Sequence, residues 1–172
     1  RLAGWQGDAM ALARGCIAVE GASDPLMLPL PSQTLWASRR GKVLASLPPP
    51  PAMEIVGGFF GPPRRTDPQD MDFPDIADLI PWWQAACAAG DLRRVADLAS
   101  QSASRTLAQR GAQSDPIASL AAGLGALGSV IAHTGAARGL IFAPGAVPAD
   151  AGQKLQQAGL RGIVQFRAGG GR

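Results

Sequence analysis

Glycine and proline break this chain into short pieces, with 22 glycines and 15 prolines among 172 residues. Glycine supplies the backbone conformations of tight turns and proline ends helices, so a chain this interrupted must fold into many turns and several strands. Between the breaks the apolar pattern changes period. Residues 6–20 (QGDAMALARGCIAVE) bring Met10, Ala13, Ile17 and Glu20 together at helical spacing. GASDPLMLPLP stops that helix. QTLWAS and KVLASL then alternate apolar and polar residues around SRRG, the pattern of a β-hairpin. After Pro48–Pro51, AMEIVGGFF reads as an apolar strand whose two glycines mark a bulge or a close backbone approach.

From Gly61 the composition shifts to the polar loop GPPRRTDPQDMDFPD, which is the expected lobe boundary. Helices are predicted at 75–89, 91–109 and 115–127, the last with Pro116 in its first turn. SVIAHT and RGLIFA follow as strands, then a helix from Ala149 to Ala158 and GIVQFRA as the last strand. The order αβββ, then αααββαβ, predicts an α+β layered architecture and not a doubly wound one. The last three strands are expected in one antiparallel sheet, with the three middle helices covering one face of it.

Composition excludes several classes. A chain of this length buries roughly 70% of its unfolded surface, so no metal or disulfide staple is needed. The net charge of +3 comes from scattered residues (Arg39–Arg40–Lys42, Arg64–Arg65, Arg93–Arg94, then singles), and the five Phe are not interleaved with them. Nucleic-acid binding needs clustering on one face, so no nucleic-acid partner is expected. Cys16 and Cys87 lie 71 positions apart without CxxC or CxxH spacing, which suggests reduced core thiols in a cytoplasmic protein. Residues 116–137 carry no charged side chain. Gly123, Gly125, Gly128 and His133 interrupt that run and its period changes midway, so no membrane span is expected. The chain opens at Arg1 directly into helical pattern, which suggests that further residues precede it.

Four motifs carry candidate chemistry. GLGALG at 123–128 matches G-x-G-x-x-G, but a helix precedes it and a strand follows, the reverse of a dinucleotide fingerprint. Helix termination beside a closely packed strand explains these glycines better. VIAHTGAARGLIFAPG holds the single histidine, His133, at the edge of a turn of small residues. That turn is either a plain hairpin or an anion-binding nest of backbone N–H groups with Arg138 adding charge. TDPQDMDFPDIAD carries five carboxylates without the calcium-loop pattern, and helix N-terminal charge accounts for part of them. Asp24, in VEGASDPLMLP, is a turn residue or a partly desolvated base.

Together, AVEGASDPLMLP, the hairpin, VGGFFG, LASQSASRTL and VIAHTGAARGLIFAPG resemble the GHMP small-molecule kinases over nearly the whole chain. The L-threonine kinase branch, associated with cobalamin biosynthesis and propanediol utilisation, is the most similar. The Asn-Gln expected near Thr106–Leu107 is absent. So is the family's ATP-phosphate loop, P-x-x-x-G-[LM]-[GA]-S-S-[SA], which belongs upstream of the first helix. The resemblance implies that residues 1–60 are the remainder of a GHMP N-terminal lobe. It implies that residues 61–172 are a ferredoxin-like C-terminal lobe with an antiparallel sheet.

The activity implied is ATP-dependent phosphorylation of a hydroxyl of L-threonine or a similar amino alcohol, with ATP and Mg²⁺ but no metal-ligating residue in this chain. Asp24 matches the acidic position that takes or orients the substrate hydroxyl proton. Thr66, Asp67, His133, Thr134 and Gly135 would contact substrate; Gly135, Ala136, Arg138 and Gly139 would contact phosphate. The implied partner is a small molecule, in the cytoplasm, and a homodimer is compatible with it. The competing expectations are a non-catalytic GHMP-like binding or regulatory lobe, and an assembly protein using Trp82–Trp83 as a contact patch.

Overall fold

The computed structural model describes residues 7–62, 67, 69–111, 114–132 and 134–170. Its elements run in the expected order: α1 (Ala9–Glu20), β1 (Thr34–Ala37), β2 (Lys42–Ser46), β3 (Met53–Phe59), α2 (Ile80–Ala88), α3 (Leu92–Arg110), α4 (Ile117–Leu124), β4 (Gly128–Ile131), β5 (Ala137–Phe142), α5 (Ala151–Gln157) and β6 (Arg161–Ala168). The protein is α+β, and every strand pair is antiparallel. Two compact units divide it: residues 1–48 with 66–71, and residues 49–65 with 72–172.

In the first unit, Asp8 caps α1 by accepting the Ala11 N–H at 2.6 Å, and Gly21 ends the helix with φ 75°. The β1–β2 hairpin forms where the alternating pattern predicts it, with a register shift between Leu35 and Trp36. The link from α1 is tied to this hairpin. Trp36 Nε1–H donates to the Ser23 carbonyl at 2.6 Å, and the Ser23 N–H donates to Ser38 O at 3.0 Å.

The second unit is built on a four-stranded sheet of order β4-β5-β3-β6. Counted from β3, this is a split β-α-β layout, with β3 inserted between the last two strands. The second compact unit thus begins at Pro49, upstream of the composition shift at Gly61, and residues 66–71 group with the first unit. The apolar run 53–59 pairs with both β5 and β6, so it is a central strand of the second unit.

Successive strand residues face opposite sides of a sheet. Ile141 packs with Met53, Leu79, Cys87, Val95 and Leu98, the cluster made with α2 and α3. Its neighbours Leu140 and Phe142 pack on the other side with Val56, Ile117, Leu124 and Leu155, from α4 and α5. The expectation that the three middle helices share one face is thus corrected. α4 has its own apolar stripe and lies with α5 across the sheet from α2. Trp83 packs on the α2–α3 cluster while Trp82 is 60% exposed, so the tryptophan pair divides between core and surface. Cys87 is a buried, free thiol whose pKa burial pushes up; Cys16 is also free. Among the described residues no helix is long and apolar enough to cross a membrane.

The glycines of GLGALG take the roles the element order requires. Gly125 ends α4 with φ 66°, and Gly128 starts β4 so close to α3 that a Cβ would stand 2.3 Å from Ala96 O. Those of VGGFF allow close approach of the neighbouring strands. Gly57 lies directly across from Gly139, and an added Cβ would stand 2.1 Å from the Arg138 carbonyl oxygen. At Gly139 the added Cβ would instead meet two methyls, Ile55 Cγ2 at 2.9 Å and Val130 Cγ2 at 3.1 Å. Side chains can yield by a rotamer adjustment, whereas a central strand paired on both sides cannot. Gly57→Ala is therefore expected to exceed the ~1–3 kcal/mol of ordinary overpacking, and Gly139→Ala to stay within it. Urea melts of the two variants check this; equal losses would refute the backbone clash.

Three ion-paired carboxylates contribute to the acid response. Arg167, then the Gly145 N–H, hold the Glu54 carboxyl below its ordinary value; Arg105 does the same for Asp78 and Lys154 for Asp150. A folded pKa below the unfolded one means that the unfolded chain binds more protons at low pH. The stabilisation is complete above the unfolded carboxylate range, about pH 4, and is lost as pH falls through the lowered values. Melting temperature should be flat between pH 6 and 5 and fall below pH 4. A melting temperature that holds or rises down to pH 3 would contradict these pairings.

Candidate functional site

The turn between β4 and β5 closes on itself. Ala132 N–H donates to Ala137 O at 2.9 Å and Gly135 N–H to Ala132 O at 2.7 Å, with Gly135 at φ 75°. On the far side, Ala136 O accepts the Phe60 N–H at 3.0 Å, which fastens the end of β3 to the turn. The Gly135 amide is therefore engaged within the hairpin and is not a free nest donor. Gly139 sits inside β5, paired with Gly57 on one side and Val130 on the other, so its backbone belongs to the sheet ladder.

Arg138 is 5% exposed, and its partners are internal. Its Nε and Nη2 contact Asp115 Oδ2 at 2.6 and 2.5 Å, while Nη1 donates to the carbonyls of Gly135 and Ala136. The guanidinium also lies 5.1 Å from the centre of the Phe60 ring. Asp115 uses its other oxygen to accept the Ile117 N–H at 3.0 Å, capping α4. The expected phosphate-binding arginine is thus a clamp that ties the turn, the start of α4 and the end of β3 together. Strand alternation is the reason: Ala137 faces the side of Phe59, and Arg138 faces the opposite side, where α4 packs.

A cavity of about 550 Å³ opens at this end of the sheet. Thr134, Ala136 and Ala137 of the turn form one wall, Phe59 and Pro62 a second, and Arg161 with Gly162 at the start of β6 a third. A groove of about 270 Å³ continues from it over Gly57 and Gly139, bordered by Val164 and Phe166. Of the residues expected at the phosphate or substrate end, Thr134 and Ala136 line the cavity, Gly135 bends the chain between them, and Arg138 and Gly139 are engaged elsewhere. His133 and Thr66 lie outside the described residues. Among the described lining residues the cation is Arg161, which sequence reasoning passed over. Its available signal was Gly162, since a glycine inside a strand pattern marks a bulge.

In the first unit, Asp24 is exposed at the start of the turn Pro25–Met27, and its carboxylate makes no capping hydrogen bond. It has the turn position expected of Asp-Pro and lacks the burial of a desolvated base. Asp67 accepts the Gln69 N–H at 2.8 Å, a local turn contact. In the second unit, Asp75 accepts the Ala77 N–H at 2.9 Å, and Asp78 takes both terminal nitrogens of Arg105 at 2.6 and 2.7 Å. Two of the five carboxylates thus close local turns and a third anchors the loop to α3.

Among the described residues no three His, Cys, Asp or Glu side chains converge as a metal site would need, and the cavity's described lining carries no carboxylate. The lining does not fit a magnesium site. It fits an organic molecule with an apolar body and a group that accepts hydrogen bonds. The sequence matches no family model and no curated protein.

Proposed function

We propose that the second unit is the substrate-binding lobe of a GHMP-type small-molecule kinase, acting on a hydroxyl of L-threonine or a similar amino alcohol in the cytoplasm, with ATP as phosphoryl donor. One observation carries this. Thr134 and Gly135, from the AHTG segment that resembles the family's third motif, lie in a turn whose Thr134 and Ala136 line a cavity at the end of a split β-α-β sheet. A cavity of about 550 Å³ falls within the range of small-molecule sites. Phosphoryl transfer asks the protein mainly for positioning and charge stabilisation, so a small polar lining around an apolar pocket suffices. In this chain Thr134 would orient the acceptor and the Arg138–Asp115 clamp would hold the turn that carries it.

A second reading has its own support. Asp24 is exposed at the start of a turn, its carboxylate makes no capping hydrogen bond, and it lacks the burial of a desolvated base. A non-catalytic GHMP-like binding lobe would keep the cavity and the clamp without the transfer. The deciding experiment is a transfer assay with γ-labelled ATP and L-threonine, serine and aminopropanol as acceptors, run on the protein encoded by the whole gene. Labelled acceptor supports the kinase. Acceptor binding without label in any product supports the binding lobe.

A further inference from the structure

We infer that Arg161 is the anion-recognition residue of the cavity, and that the ligand it takes is a small organic anion, a single phosphate or carboxylate head on a short apolar body. The geometry starts from the pairing of β6 with β3. Gly57 faces Val164 and Phe59 faces Arg161, so the single residue Gly58 lies opposite both Gly162 and Ile163. That is a bulge in β6, and Gly162 occupies it with φ 61°, a left-handed conformation open to glycine. In an unbulged strand Arg161 would share the face of Ile163, Gln165 and Arg167. The extra residue reverses it onto the face of Phe59 and Ala137, where the cavity opens. Bulges beside functional sites re-aim side chains in this way.

The side chain is available as well as aimed. Arg161 is exposed, and among the described residues its one side-chain hydrogen bond runs from Nη2 to the Gly61 carbonyl. That bond steadies the guanidinium at the mouth and leaves Nε and Nη1 without an acceptor among the described residues. Arg138 is the contrast: buried, paired with Asp115 and bound to two carbonyls. No carboxylate in the described lining competes for Arg161. Opposite it, Phe59, Pro62 and Ala136 offer carbon surface, and Thr134 a hydroxyl. A planar guanidinium pairs with phosphate and carboxylate through two parallel N–H donors, which selects the head group, while the carbon wall selects the body.

The inference takes from the kinase proposal only the position of the cleft, and binding tests it without any transfer. The full chain, labelled with ¹⁵N, is titrated with phenyl phosphate, benzoate and neutral benzyl alcohol. The two anions are expected to give saturable shifts at Gly61, Thr134 to Ala137 and the Arg161 Nε–H, and benzyl alcohol none that saturate. Whichever anion binds tighter names the head group. Arg161→Gln should leave the rest of the spectrum unchanged, because the side chain is exposed, and weaken anion binding about 10–100-fold. Arg161→Lys, which keeps the charge without the fork, should fall between. Three results overturn the inference: no saturation by either anion, benzyl alcohol binding as tightly as phenyl phosphate, or unchanged affinity in Arg161→Gln. A protein that binds the anions yet transfers no phosphate refutes the kinase proposal alone.

Discussion

Arg138→Ala is expected to destabilise the second unit by about 3–5 kcal/mol, the range for removing one partner of a buried ion pair. Asp115 would be left 6% exposed with its charge uncompensated, and the carbonyls of Gly135 and Ala136 would lose the same donor. The loss reaches beyond one contact, since Asp115 also caps α4 and Arg138 also stacks on Phe60. Urea denaturation of the variant measures it. Asp115→Ala should cost a similar amount, and the double variant much less than the sum, because the second change removes an already orphaned charge. Arg138→Met with Asp115→Leu should recover most of the loss, since a packed apolar pair often equals or exceeds a buried ionic one. A loss below about 1 kcal/mol for Arg138→Ala, the size of an exposed pair, would show that the clamp is open in solution.

Asp24→Asn is the expected large effect on activity. The carboxylate is exposed and caps nothing, so the folded state has little to lose by the change. Its backbone is held independently, through the Ser23 N–H on Ser38 O and the Ser23 carbonyl beneath Trp36. If Asp24 accepts the substrate hydroxyl proton, as the resemblance to the GHMP kinases implies, phosphoryl transfer should drop ~10²–10⁴-fold with melting unchanged. The transfer assay on L-threonine checks it, with kcat separated from KM. An unchanged kcat would return Asp24 to the Asp-Pro turn, the role its local geometry already satisfies.

The elements were legible in the sequence because each is set by a local signal. Proline and glycine punctuation, the 3.6-residue stripe of α3, the two-residue alternation of β1 and β2, and the reversed context of GLGALG gave the element order found. The two glycines of VGGFF announced a bulge or a close approach; the close approach is present, and the bulge lies opposite them in β6. Partners across the chain were not legible. Nothing local distinguishes Arg138 from Arg161: each is an arginine followed by glycine at the start of a strand. Their difference comes from pairing. Regular alternation in β5 turns Arg138 under α4 to Asp115, 23 residues away, and the Gly162 bulge turns Arg161 the other way. The second unit begins upstream of the composition shift for the same reason, since β3 pairs with strands that begin about 80 and 100 residues after it ends. Local pattern fixes which residues form a strand, but the face a strand residue occupies, and the charge it meets there, depends on register with a distant partner.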